Sequence, residues 1–301
     1  MNECNLCPRN CLVDRQDGKR GYCGQSNKIF VARAALHMWE EPCISGKEGS
    51  GTVFFCGCTL RCIFCQNYRI ALGRNKKDES IGKEITIDRL KEIFLELQNQ
   101  RANNINLVTG THYIPQIAEA LRMAKAEGLV IPVIYNTSGY ERKESLRLLE
   151  GLVDIYLPDM KYISKELSKE YSHAQDYFEV AKDAIEEMVR QAGEARFDER
   201  GYMKNGVIVR HLVLPGSTKD SKAVLEYLWK TYGNRIFVSI MNQYTPTEQI
   251  KNHPLLSRKV TKREYAKVVD YALSLGWENA FIQEGATAKE SFIPDFDGNG
   301  V

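Results

Sequence analysis

The chain has 301 residues, 43% of them apolar and 27% charged, with a formal net charge of +2 at pH 7. That balance describes a globular protein with one large core or two ordinary ones. It excludes a disordered chain and a polybasic nucleic-acid binder. The opening Met1-Asn2-Glu3-Cys4-Asn5-Leu6-Cys7-Pro8 carries no apolar signal core, and no later run reaches membrane-spanning length. The expected location is the cytoplasm, with neither membrane nor nucleic acid as a partner.

All nine cysteines fall within the first 65 residues. In a reducing compartment such a clustered, odd-numbered set argues for metal rather than disulfides. The first four, Cys4, Cys7, Cys11 and Cys23, follow the pattern C-x2-C-x3-C-x11-C. They enclose a turn-rich loop, Arg15 to Gly21, that cannot hold itself together without a staple. Four thiolates satisfy a tetrahedral zinc ion, and also a second iron–sulfur cluster. The expectation is a small cysteine-rich metal-binding module over residues 1–48, holding zinc or a second cluster, with zinc favoured. Cys43, beside Pro42, and Cys56 read as packed thiols. The basic run Gly73-Arg74-Asn75-Lys76-Lys77 has acidic neighbours and reads as a solvated loop.

Beyond residue 50 short apolar runs alternate with helical periods. Strands are predicted at Thr52 to Phe55, Ile105 to Thr109, Ile131 to Tyr135, Val153 to Leu157, Val207 to Leu214, Arg235 to Met241 and Ala280 to Gln283. These runs are nearly continuous in apolar residues, as strands buried on both faces are. Between them, Leu90, Ile93, Phe94 and Leu97 form one stripe of an amphipathic helix. Pro115 suits a helix start and Gly128 its end. A long helix is expected from Asp176, with Phe178, Ala181, Ile185 and Met188 on one side, and Thr261 with Glu264 forms a capping box before the last.

The repeated strand–helix rhythm means an α/β chain with parallel strands and right-handed crossovers. Polar punctuation follows each strand: Gly110 to Tyr113, Asn136 to Gly139, Pro158 to Lys161, Pro215 to Thr218, Asn242 to Tyr244, and Glu284. In a full or partial barrel these positions make one rim around one mouth, whereas an open doubly wound sheet would gather them at a single switch point. Every strand contributes, which favours a barrel.

After the first of these strands come Cys58, Cys62 and Cys65, spaced C-x3-C-x2-C. Three thiolates are one short of the four a cubane of irons normally takes. One iron is left open, as a catalytic zinc keeps a position for substrate. The competing reading is a zinc site completed by Cys56; the three-cysteine spacing, the aromatic Phe64 and the placement after a strand speak against it.

The run Cys58-Thr59-Leu60-Arg61-Cys62-Ile63-Phe64-Cys65 resembles the signature of the radical S-adenosylmethionine (SAM) superfamily. The resemblance implies a partial (βα)6 barrel over residues 49–301 and a 4Fe-4S cluster on Cys58, Cys62 and Cys65. It implies SAM chelated at the open iron and cleaved reductively to methionine and a 5′-deoxyadenosyl radical, which abstracts hydrogen from a substrate. It also implies anaerobic chemistry and an electron donor such as flavodoxin or ferredoxin. Further segments resemble a branch similar to pyruvate formate-lyase activating enzymes: Glu40-Glu41-Pro42, Ser45-Gly46, Gly49-Ser50-Gly51, Cys65-Gln66-Asn67, Thr111-His112-Tyr113, Leu157-Pro158-Asp159-Met160-Lys161, Arg210 to Gly216 and Met241 to Pro246.

That branch carries roles over by position. Phe64 and Asn67 fall beside the cofactor. Activating enzymes have Gly-Gly-Glu after the second strand, where this chain reads Thr109-Gly110-Thr111-His112, leaving Thr111, His112 or a backbone carbonyl for the methionine amino group. Asn136 and Ser138 are placed for ribose or carboxylate. Asp159 and Lys161 resemble the Asp-x-Lys element and would contact substrate or the sulfonium side. Arg210 suits a carboxylate through its planar fork, and His211 points the opposite way along the strand, so one of the two faces the lumen. The expected reaction is an activating-enzyme-like oxidoreduction, with a glycine of a protein or peptide partner as substrate. The alternatives are a peptide side chain or small metabolite as substrate, a methyltransferase on the same cofactor, and a non-catalytic iron–sulfur electron carrier.

Overall fold

Apolar runs dense in Val, Ile and Leu form strands buried on both faces, and the central strands of this chain follow that rule. The structure is a computed structural model and describes residues 3–73, 81–283 and 294–301. Arg74 to Lys77 of the basic run, and Glu284, lie outside the described residues. The strands are β1 (Ile29–His37), β2 (Ser50–Phe55), β3 (Lys83–Ile85), β4 (Ile105–Val108), β5 (Val133–Thr137), β6 (Ile155–Pro158), β7 (Arg196–Phe197), β8 (Met203–Leu212), β9 (Phe237–Met241) and β10 (Ala280–Ile282).

Their order is β10-β9-β8-β6-β5-β4-β2-β1-β3, with β7 paired outside this path to β8. From β2 to β10 every neighbour on that path is parallel. The sheet curls but does not close, the geometry of a partial barrel. All the loops that follow the parallel strands therefore open on one side.

Helices cover the outer face for the reasons their sequences suggest. On the helix Ile87–Asn99 the stripe Leu90, Ile93, Phe94 and Leu97 is at most 1% exposed. Burying each such side chain contributes about 1.5–3 kcal/mol. Thr86 caps it, its hydroxyl accepting from Arg89 N at 3.1 Å. Pro115 sits in the first turn of Ile114–Ala126, and Gly128 follows that helix at a φ of +101°. In the helix Tyr177–Ala192, Ala181, Ile185 and Met188 are buried, while Phe178 is only half-buried against Tyr227. Thr261 and Glu264 complete both bonds of the capping box before Lys262–Leu275.

Three strands, β1, β3 and β7, were not anticipated from the βα rhythm, and β1 is the longest of them. β1 runs antiparallel along β2, from Val31 opposite Phe55 to His37 opposite Ser50. Residues 29–48, grouped above with the cysteine-rich segment, thus carry a strand of the barrel's own sheet. β1 has no crossover helix, so it leaves no alternation of strand and helix to read. The C-terminal residues lie along it, with Ala34 N bonded to Asn299 O at 2.9 Å.

Candidate active site

β2 delivers the chain to the mouth and the cysteine loop follows at once. Gly57 makes the turn at a φ of +90°, where a Cβ would stand 2.7 Å from the carbonyl oxygen of Cys23. Arg61 holds a left-handed φ of +55° inside the loop. Cys65 N bonds Cys62 O at 3.1 Å, and Ile63 N bonds Tyr171 O at 2.9 Å. Two donors point at sulfur: Leu60 N at 3.4 Å from Cys58 Sγ, and the Ser172 hydroxyl at 3.0 Å from Cys62 Sγ. Donors of this kind favour thiolate and tune the potential of whatever the sulfurs hold. Burial pushes the thiol pKa values of Cys62 and Cys65 up, so ligation must drive the protons off. Phe64 is 5% exposed and packs edge-on to Tyr171 and Tyr244.

Cys58, Cys62 and Cys65 line a cavity of about 240 Å³ that runs down into the barrel. Phe64, Asn67, Asn136, Ser138, Asp159, Lys161 and Arg210 line it too. Inside is a continuous charged network. Arg210 Nη1 donates to Glu40 Oε2 at 3.0 Å, its Nη2 bonds Asn136 Oδ1, and its Nε lies 3.5 Å from Asp159 Oδ1. Lys161 Nζ donates to Asp159 Oδ2 at 2.5 Å, and Asn106 Nδ2 to Glu40 Oε1 at 2.9 Å. Burial works against the charges of Arg210 and Lys161, but their neighbours more than restore them. Asp159, Glu40 and Glu41 raise the pKa of Arg210; Asp159 with the Cys62 and Cys65 sulfurs raises that of Lys161. Both stay cationic.

Three residues expected beside the cofactor do not line the cavity. Thr111 is buried and its hydroxyl donates to Glu141 Oε1 at 2.6 Å. His112 lies under the cysteine loop, its Nε2 donating to Cys56 O at 2.7 Å while its own carbonyl accepts from Arg15 at 2.6 Å. Burial holds its pKa down at about 3, so the ring is neutral. His211 points away from Arg210, as alternation along a strand requires, and its Nδ1 donates to Met160 O at 2.7 Å. At the end of β4 the cavity meets Val108 and Thr109 instead. Thr109 is β-branched yet has a φ of +61°, a strained conformation of the kind that collects at functional sites.

The sequence reading missed the far end of the cavity. His37, Trp39 and Glu40, from the end of β1 and the turn after it, line it there. Glu41, next in the chain, is buried; burial pushes its pKa up, and its Oε2 has no hydrogen-bond partner among the described residues. The adjacent acids Glu40 and Glu41 ahead of Pro42 were the available signal, but nothing near them in sequence pairs with them. Cys43 and Cys56 are buried, and burial lifts each thiol to about 12.

Three thiols on one tight loop, with donors aimed at two of the sulfurs, fit a sulfide-bridged iron cluster. Among the described residues no three His, Cys, Asp or Glu side chains are gathered closely enough for a single bare ion. The fold and this site together define a partial-barrel protein built around a three-cysteine cluster loop. The family model of the Radical SAM superfamily matches residues 52–228, more than half of the chain, and the chain belongs to that superfamily. Membership implies an enzyme with a 4Fe-4S cluster and SAM.

The chain is 29% identical over 275 residues to the uncharacterized protein MJ0674 of Methanocaldococcus jannaschii, a match covering 90% of this chain and 75% of that one. Its fold is similar to that of the FeFe-hydrogenase maturase HydG from Carboxydothermus hydrogenoformans. There the TM-score is 0.51 and the identity 14%, over 87% of this chain and 60% of that one. A domain of pyruvate-formate lyase-activating enzyme from Bacteroides vulgatus aligns at a TM-score of 0.41 and 12% identity, over 57% of this chain and 92% of that one. At 14% identity the likeness to HydG speaks to the fold alone. Among the described residues no helix is long and apolar enough to cross a membrane.

Proposed function

We propose that this chain holds its 4Fe-4S cluster on Cys58, Cys62 and Cys65 and removes a hydrogen atom from a substrate lodged against Glu40, Asp159, Lys161 and Arg210. When bound, the cluster and SAM supply the electron and the 5′-deoxyadenosyl radical for that step. The protein's residues bind, orient and shield. Leu60 and Phe64 bring apolar surface to the cysteine end of the cavity, where water would quench a radical. Asn136 and Ser138 offer polar groups at the end of β5 for a ribose or a carboxylate. Arg210 and Lys161 present charge-assisted donors to an anionic group, and Asp159 and Glu40 hold both cations in place. Together the four favour a substrate carrying both an anionic and a cationic or amide group.

The observation that carries this reading is the shared cavity: the three thiols and the charged network line the same space. Activating-enzyme-like abstraction from a glycine in a protein partner is a second reading. The position of Lys161, close enough to Cys62 and Cys65 for their charge to act on it, supports it, because an Asp-x-Lys element at the cluster suits a backbone presented there. Anaerobic reconstitution, reduction by dithionite or flavodoxin, and product analysis test the proposal. The expected products are 5′-deoxyadenosine and methionine, both lost in Cys62→Ala. S-adenosylhomocysteine in their place, or neither product, overturns it. Electron paramagnetic resonance (EPR) of a candidate partner after turnover separates a glycyl radical from a small-molecule product.

A further inference from the structure

The barrel's chemistry leaves the first four cysteines without a task. Between residues 3 and 28 the buried apolar side chains are Cys7 and Cys23, and Leu12 is 50% exposed. A stretch with so little apolar burial needs another source of order. Its backbone is nonetheless well defined. Cys4 N bonds Val13 O at 2.9 Å, Leu12 N bonds Cys4 O at 3.0 Å, and Asn10 N closes a turn on Cys7 O at 3.1 Å.

Asn10 and Leu12, on either side of Cys11, both take left-handed φ values, +42° and +52°. Such conformations cost about 1–3 kcal/mol each and persist only where the surroundings over-determine them. Gly21 supplies a second constraint. A Cβ there would lie 2.7 Å from Cys11 Sγ and 3.9 Å from Cys23 Sγ, so a glycine keeps the space between those sulfurs open. Cys7 is within electrostatic reach of Cys11 and Cys23, and Cys23 of Cys4 and Cys11.

The same turn reaches into the barrel. Arg9, between Cys7 and Cys11, donates to the carbonyl oxygens of Thr59 at 2.8 Å, Leu60 at 3.4 Å, Ser172 at 3.1 Å and His173 at 2.5 Å. Its guanidinium lies 4.1 Å from the centre of the Tyr22 ring. Thr59 and Leu60 are the residues after Cys58, and Ser172 is the residue whose hydroxyl bonds Cys62 Sγ. One arginine therefore ties the first cysteine set to both walls of the second.

We propose that Cys4, Cys7, Cys11 and Cys23 hold a second, fully thiolate-ligated iron–sulfur centre, and that Arg9, positioned by it, keeps the barrel's cysteine loop in its ligating conformation. The metal-binding half stands by itself; the positioning half rests on the barrel loop holding a cluster.

The test uses the full chain carrying Cys58→Ala, Cys62→Ala and Cys65→Ala, purified without oxygen and assayed for zinc, iron and acid-labile sulfide. Retained metal is expected, lost when Cys7→Ser and Cys11→Ser are added. Irons with acid-labile sulfide support the centre; one zinc without sulfide, which needs ligands gathered about a single ion, or absence of both metals overturns it. Arg9→Met, with the other cysteines intact, is expected to keep the N-terminal metal and an unchanged circular dichroism spectrum. It should lose iron from the barrel and the SAM-induced change in its EPR signal. Unchanged barrel iron and an unchanged SAM response would refute the positioning role. Wild-type chain that keeps N-terminal metal but forms no 5′-deoxyadenosine would refute the proposed reaction alone.

Discussion

Arg210→Met isolates the charged network at the heart of the cavity. The change keeps most of the side-chain volume but deletes the cation that holds Glu40 at 3.0 Å and Asp159 at 3.5 Å, with Glu41 buried nearby. Removing one partner of a buried ion pair leaves uncompensated charge and costs about 3–5 kcal/mol. Because the pair is held from three sides, the loss should fall in that range rather than in the 0–1 kcal/mol of an exposed bridge.

The pH dependence follows in sign. Burial already holds the folded-state pKa of Glu41 above its unfolded value, and Arg210 works against that rise. Without Arg210 the pKa climbs further. A carboxyl with a raised pKa contributes stability that is present at low pH and lost as pH rises through the folded value. The deficit of Arg210→Met should therefore be larger at pH 8 than at pH 5. Urea denaturation of anaerobically purified protein, followed by tryptophan fluorescence at both pH values, measures it. In a double-mutant cycle with Glu40→Gln the second change should restore about 0.5–3 kcal/mol. Equal stability of Arg210→Met and wild type at pH 8, or a deficit independent of pH, would refute the reasoning.

Other expectations follow from single observations. Glu141 is buried, accepts hydrogen bonds from Thr111, Thr137 and Tyr135 at one oxygen, and is pushed up to about 7 by burial. Glu141→Gln keeps that acceptor and removes a charge that forms only as pH rises through 7. The variant's stability advantage over wild type should open between about pH 4.5 and pH 7 and reach roughly 3 kcal/mol above that; a gap that stays flat from pH 5 to pH 7 in urea melts contradicts it. Thr261→Ala removes the hydroxyl that accepts from Glu264 N at 3.1 Å, leaving the backbone bond of the capping box before Lys262–Leu275, and should cost about 1 kcal/mol, with product formation unaffected. Gly21→Ala drives a methyl group toward Cys11 Sγ and should lower the N-terminal metal content. If metal analysis finds it unchanged, the space beside that sulfur is not needed for ligation.

What could be read without coordinates is what neighbours in sequence settle among themselves. Three thiols on one short loop after a strand, a stripe of Leu90, Ile93, Phe94 and Leu97 on one helix, and a threonine capped by the glutamate three residues on are all local patterns. They led to the superfamily, the parallel strands and the three-cysteine loop that lines the cavity. Alternation along β8 was also enough to say that one of Arg210 and His211 faces the lumen, though not which one.

What folding alone decided lies between residues far apart. Glu40 meets Arg210 across 170 positions of sequence, and Arg9 meets Ser172 across 163. Thr111 and His112, expected at the cofactor, instead turn toward Glu141 and the backbone of Cys56. No period or spacing signals such encounters. Backbone preference and capping act over a turn or two of chain, whereas an ion pair or a buried histidine answers to whatever the curled sheet and the N-terminal segment bring within a few ångströms.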